Sequence, residues 1–221
     1  MRAGALGRCA APEITPVGVA GQALDLRPVS REALSADALE VAPFLLNKVI
    51  VNGDRAARIV EVEAYRGEDD PASHAYRGRT ARNATMFGGA GLLYVYFTYG
   101  MHWCANVVCG PERTARAVLL RAGSPVVGLS QMWAARPAAR RQEDLCSGPA
   151  KLCQALAISR DHDGADLVTG DRGIQLFSDE TPPPEFPAKG TRIGVAAGSE
   201  LPWRFWVHGD PNVSRKVVPA G

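Results

Sequence analysis

The chain reads as a single mixed α+β domain, and three features point there. Strand-like runs rich in β-branched and aromatic residues are joined by short turns, at Asn52-Gly53-Asp54 and around Gly100. Separate stretches with helical spacing lie between them, at Ser35–Asn47, at Ser124–Arg136 and from Ser147 onward. The 221 residues, 46% hydrophobic and 22% charged, suffice for one core without a disulfide or metal staple and are too apolar for a disordered chain.

Residues 1–27, rich in Ala, Gly and Pro, read as a loose arm ahead of a folded unit at 28–221. The first residues lack an apolar run, and Arg8 interrupts them, so no signal peptide is expected. No stretch is long and apolar enough for a transmembrane helix. Leu39, Val41, Leu45 and Leu46 would face the core from the first helix, with Pro43 as its weak point. Lys48–Val51 and Arg58–Tyr65 read as strands, and residues 66–91, broken by Gly and Pro, as a long ordered loop of the kind that often carries function. Leu92–Tyr99 and Trp103–Cys109 form a hairpin, and Ala115–Arg121 a further strand. Ser124-Pro125 looks like an N-cap with proline at the first helical position, opening a helix to Arg136. Ser147-Gly-Pro-Ala-Lys151 opens another, with Leu152 and Leu156 inward. Residues 178–190 are a proline-rich surface connector, and Arg192–Ala196 and Trp203–His208 the last strands.

A net charge of +2 does not demand a nucleic-acid partner but leaves room for one basic face. Five cysteines, at 9, 104, 109, 146 and 153, include no CxxC pair and have no histidines at zinc-finger spacing. They read as buried thiols in a reducing compartment, the cytoplasm, and no metal or other cofactor is implied. The GxSxG, HExxH, P-loop, dinucleotide-binding and zinc-deaminase patterns are absent.

Strand alternation puts Glu61, Glu63 and Tyr65 on one face and Val60, Val62 and Ala64 on the other. The simplest reading has both glutamates facing solvent. The nearby aromatics favour a pocket instead, in which an acid beside rings acts as a tuned general base. Tyr94, Tyr96 and Thr98 share one face of the hairpin, though tyrosines are also ordinary strand residues. The turn Tyr99-Gly100-Met101-His102 would expose Met101 beside Tyr99, a tip suited to wedging between base pairs. His74 could be an incidental loop residue and Arg121 a salt-bridge partner. Ser147 with Lys151 could hold a phosphate or merely cap a helix.

Taken together these residues resemble the alkyladenine (3-methyladenine) DNA glycosylases in their bacterial form. The resemblance rests on Glu61-Val-Glu-Ala-Tyr65, Asp70-Pro-Ala-Ser-His74 with Arg77-Gly-Arg-Thr80, and Leu93-Tyr-Val-Tyr-Phe-Thr-Tyr-Gly-Met101. It continues through Val118-Leu-Leu-Arg-Ala122, Leu145-Cys-Ser-Gly-Pro149 with Lys151-Leu-Cys-Gln-Ala-Leu156, and Arg192-Ile-Gly194 before Pro202-Trp-Arg-Phe205. The motifs follow one another in the family's order across roughly residues 28–215. Ala81 departs from the pattern, standing where bacterial members often carry proline.

The resemblance implies a curved, largely antiparallel sheet with surrounding helices and a protruding hairpin, acting as a monomer on damaged double-stranded DNA. It implies excision of a flipped, damaged purine of the 3-methyladenine, hypoxanthine or ethenoadenine type. Glu63 would be the general base for a water that Arg121 and the Ile193 carbonyl help to hold. Tyr65, His74 and Tyr96 would contact the flipped base, Asn106 would reject guanine, and Tyr99 with Met101 would fill the gap in the duplex. Arg77, Arg79, Arg82 and Lys151 are the candidates for DNA-backbone contact. One geometric condition follows. A strict two-residue turn would pair Tyr96 with Ala105 and send Asn106 to the wrong face, so a three-residue loop or a bulge is expected. Two rival readings remain: a non-catalytic lesion binder, which has no use for Glu63 and Arg121, and a hydrolase of free nucleosides, which has no use for a wedge.

Overall fold

A computed structural model describes residues 25–98 and 100–214. Of the expected arm, residues 1–24 lie outside the described residues, as do Cys9 and Tyr99. The chain forms β1 (Arg27–Pro28), α1 (Ala38–Leu45), β2 (Val49–Asn52), β3 (Arg55–Arg66), β4 (Leu92–Thr98) and β5 (His102–Cys109). There follow β6 (Arg116–Val127), α2 (Leu129–Ala135), α3 (Pro149–Ala155), β7 (Ala165–Asp166), β8 (Ile174–Ser178), β9 (Ala188–Gly190) and β10 (Arg204–Trp206). The strands make one antiparallel sheet in the order β1-β8-β2-β3-β6-β5-β4-β7, with β10 on β3 and β9 on β10. It curls into a half-barrel, and the whole is a single α+β domain.

The main core lies where α1 and α3 pack on the sheet. Leu45 and Leu46, Ile59 and Val62 of β3, Val118 and Leu120 of β6, and Leu152 and Leu156 meet there with almost no exposure. The first helix is shorter than its sequence signal because Asp37 caps it, accepting a hydrogen bond from the Leu39 N–H. Pro43 sits in its last turns and is tolerated there. The Asn52-Gly53-Asp54 turn links β2 to β3 as expected.

Four expectations fail. Ser124 and Pro125 do not start a helix. They continue β6, opposite Arg58 and Ala57, because pairing along the central strand outweighs a local capping signal. Pro125 offers no N–H and sits next to a register irregularity, where its loss is tolerated. The helix starts instead after Gly128, whose φ is +76°. Ser147 is not the cap of α3; Gly148 holds that position, and Ser147 bridges to Ala122 of β6. Residues 192–196 are loop rather than strand, because the Arg192 side chain and the Ile193 N–H are bound within the site instead of a ladder. Only Arg204–Trp206 of the expected last strand forms. The sequence reading also missed β8, which extends the sheet beside β2, and β9 inside the proline-rich connector.

The hairpin meets its condition. Thr98 pairs with His102, leaving a three-residue loop, and the register runs on through Tyr96 with Cys104 to Tyr94 with Asn106. Asn106 therefore shares a face with Tyr94 and Tyr96.

Candidate active site

Glu63 lies on β3 in the middle of the sheet, between Leu119 of β6 and Arg204 of β10. The solvent-facing reading of the two glutamates is wrong: Glu61 and Glu63 are both fully buried. A carboxylate can stay charged in such a place only if it is paired and hydrogen-bonded. Glu63 accepts the Tyr65 hydroxyl proton at 2.9 Å on one oxygen and the Ile193 N–H at 2.7 Å on the other, which also lies 3.1 Å from Arg121 Nη1. Ile193 thus reaches the carboxylate with its N–H. The Tyr65 hydroxyl is raised well above its ordinary value, by burial first and then by Glu63, so it remains a proton donor.

Arg121 reaches the carboxylates from an irregular point in the β3–β6 ladder. Glu61 pairs with Ala122 and Val62 with Leu120, which leaves Arg121 as an extra residue on β6. Such a bulge bends a strand and re-aims a side chain. Burial works against the charge of Arg121, but Glu63 and Glu61 more than offset it and hold the guanidinium above the usual arginine range.

A cavity of about 420 Å³ opens beside this pair, within the usual size of small-molecule sites. Tyr65, His74, Tyr96, Asn106, Arg121 and Ile193 all line it. Tyr94 and Tyr96 stack with centroids 5.6 Å apart. His74 meets Tyr96 edge to face at 4.4 Å, and its Nδ1 lies 3.3 Å from the Tyr94 hydroxyl. His74 is exposed at the mouth, yet burial of its ring, followed by Arg82, lowers it below the ordinary histidine value, so it is neutral at pH 7. The Asn106 amide donates to the Tyr94 carbonyl at 3.2 Å, which holds the side chain in one orientation.

At the hairpin tip, Met101 is 67% exposed. Arg77 and Arg79 are exposed. Arg82 is exposed too but tied to the Phe97 carbonyl at 3.2 Å, with its guanidinium 5.9 Å from the Tyr96 ring centre. Lys151 is partly buried against the Ser147 hydroxyl, 3.2 Å away. The structure therefore gathers the expected base-contacting residues, with Arg121 and Ile193, around one cavity, and holds Glu63 buried behind that wall against Arg121, Tyr65 and Ile193. It leaves Arg77 and Arg79 freer than Arg82 and Lys151.

Several site groups escaped the sequence reading. Tyr94 was legible as a partner of Tyr96 by alternation, but its contact with His74 was not. Asp70 and Arg192 form a fully buried pair with contacts at 2.5 and 2.9 Å, which ties the segment carrying His74 to the segment carrying Ile193. Arg192 also lies 4.8 Å from the Tyr65 ring centre. No local pattern marks two residues so far apart in the chain as partners.

The methylpurine-DNA glycosylase family model matches residues 32–211, which include every described residue of this site. The chain belongs to the methylpurine-DNA glycosylase family. A Burkholderia lata protein named "Putative 3-methyladenine DNA glycosylase" is 55% identical over 182 residues, covering 82% of this chain and 88% of its own length. Proteins of the same name from Streptomyces avermitilis and Nocardia farcinica are 48% and 47% identical, over 86% and 84% of this chain and 92% and 90% of theirs. Among the described residues no helix is long and apolar enough to cross a membrane.

Proposed function

We propose that this glycosylase hydrolyses the N-glycosidic bond of alkylated or deaminated purines flipped out of duplex DNA, starting base-excision repair and leaving an abasic site. The observation that carries the reading is the fully buried Glu63, bound to Arg121 and Tyr65 beside a cavity walled by aromatic rings. In this reading Glu63 takes a proton from the attacking water, which Arg121 and the Ile193 carbonyl help to place. The bond breaks through an oxocarbenium-like state. One carboxylate suffices for an alkylated purine, which already carries positive charge and leaves readily. The buried carboxylate and the ring faces also stabilise that charge.

Tyr65, His74 and Tyr96 contact the flipped base. At 4.4 Å, His74 and Tyr96 are too close to hold a ring between them, so the imidazole turns aside as the base enters. Asn106, fixed by the Tyr94 carbonyl, screens the purine edge and rejects guanine. Tyr99, together with Met101, fills the gap left in the helix, and weakly paired lesions flip at the lowest cost. Among the described residues lining the cavity there is no lysine to form a Schiff base, which supports a monofunctional hydrolase. Arg77 and Arg79, then Arg82 and Lys151, contact phosphates, so binding weakens with salt. The catalytic unit is residues 28–221, acting as a monomer in the cytoplasm, where the DNA lies.

The test is single-turnover release of base from duplexes bearing one hypoxanthine or one 3-methyladenine. Release by the wild type and none by Glu63→Gln is the expected result. Tight lesion binding with no release by either protein would make this a damage-recognition protein.

A further inference from the structure

The mechanism above gives the buried carboxylate of Glu61 no task. Glu61 has no exposed surface, lies two residues before Glu63 on the same face of β3, and accepts four hydrogen bonds. One oxygen receives the Arg121 Nε at 2.9 Å, the Arg204 Nε at 2.7 Å and the Ser214 hydroxyl at 2.9 Å. The other receives the Ser214 backbone N–H at 2.6 Å. Burial works against its ionisation, but Arg121, Arg204 and the two Ser214 donors win, and its pKa lies below the ordinary glutamate value.

The same contacts divide up the guanidinium of Arg121. Nε goes to Glu61, Nη2 to the Ser214 hydroxyl at 3.2 Å and Nη1 to Glu63. A planar fork held on three different nitrogens has no free rotation left, and its remaining N–H groups are available to the cavity it lines. Glu61 and Ser214 touch it only from behind, and neither lines the cavity.

We infer that Glu61, with Ser214 from the end of the described chain, is a positioning clamp that orients Arg121 toward Glu63 and the attacking water. This deepens the proposed glycosylase reading and rests on it. The clamp also gives the stretch after β10 a part in catalysis. Ser214 lies beyond the last strand and beyond the matched family region, yet it is bonded to the group that touches the general base.

The test is single-turnover excision of hypoxanthine per folded molecule, with lesion-duplex affinity measured alongside. Glu61→Gln keeps the shape and removes the charge. It should lower the rate by about 10²-fold, the scale of a misplaced catalytic group, while affinity stays near wild type. Ser214→Ala should give a smaller loss that Ser214→Thr restores. In an Arg121→Ala background, adding Glu61→Gln should lower the rate no further, because both changes disable one unit. Should Glu61→Gln fail to fold, the Ser214 pair decides alone. Wild-type rates in Ser214→Ala and in folded Glu61→Gln, or a further loss in the Arg121→Ala background, would overturn the clamp and leave the glycosylase reading standing. Absence of base release by the wild type would overturn both.

Discussion

The Tyr65 hydroxyl shows how one residue serves two purposes in this site. Its ring lies against the Arg192 guanidinium and lines the cavity, while its O–H is given to Glu63. Because its pKa is raised, that proton is present at any working pH. A hydrogen bond to a charged group contributes about 1.5–3 kcal/mol, and here it holds one carboxylate oxygen so that the other faces Arg121 and Ile193. Tyr65→Phe keeps the stacking face and removes only the donor. Its excision rate should fall about tenfold or more with lesion affinity unchanged. A fall in affinity with the rate preserved would reduce the hydroxyl to a packing group.

At the scale of elements, two irregularities do more for the site than the regular strands around them. The bulge in β6 turns Arg121 onto Glu61 and Glu63, and the three-residue hairpin loop brings Asn106 to the cavity side. A third irregularity sets where β6 ends and α2 begins. Gly128 has φ +76°, and a Cβ there would stand 2.5 Å from the Asp54 carbonyl. The left-handed conformation alone costs a residue with a Cβ about 1–2 kcal/mol, before the clash with the β2–β3 turn is relieved. Gly128→Ala should therefore destabilise the protein by about 2 kcal/mol or more in urea unfolding. A wild-type midpoint would mean that the turn moves aside without penalty.

Across the whole molecule, the buried charges set the response to acid. Glu61 is held below its ordinary value, so it contributes stability above the unfolded glutamate pKa and loses it as pH falls through its folded value. His74 is also lowered. The unfolded chain takes up a proton near the ordinary histidine value while the folded site resists, so stability again declines as pH drops below that value. Both effects have the same sign. The urea midpoint should decrease from pH 7 toward pH 3, and Glu61→Gln should flatten the part below about pH 4.5. An identical acid slope in that variant would show that other carboxylates, such as Asp179 held by Arg58, carry the effect.

Much of the site was legible in the linear chain because it is built from alternation. Glu63 with Tyr65, and Tyr94 with Tyr96, stand two residues apart on single strands, and strand geometry puts such pairs on one face wherever the strand lies. Turn residues marked where both hairpins lie, and the resemblance's need to bring Asn106 beside Tyr96 called for a three-residue loop or a bulge, of which the structure takes the loop. The environment of those faces was a different matter. Glu61 and Glu63 read most simply as solvent-facing, and only the coverage of β3 by β6, β10 and the 192–214 segment makes them buried acids. The Asp70–Arg192 pair, the aim of Arg121 and the reach of Ser214 join residues far apart in sequence. No local propensity encodes such contacts, since they exist only once the sheet has closed around them. Ser124 and Pro125 failed for the same reason: a strong local signal for a helix start yielded to the hydrogen bonds and packing of a central strand.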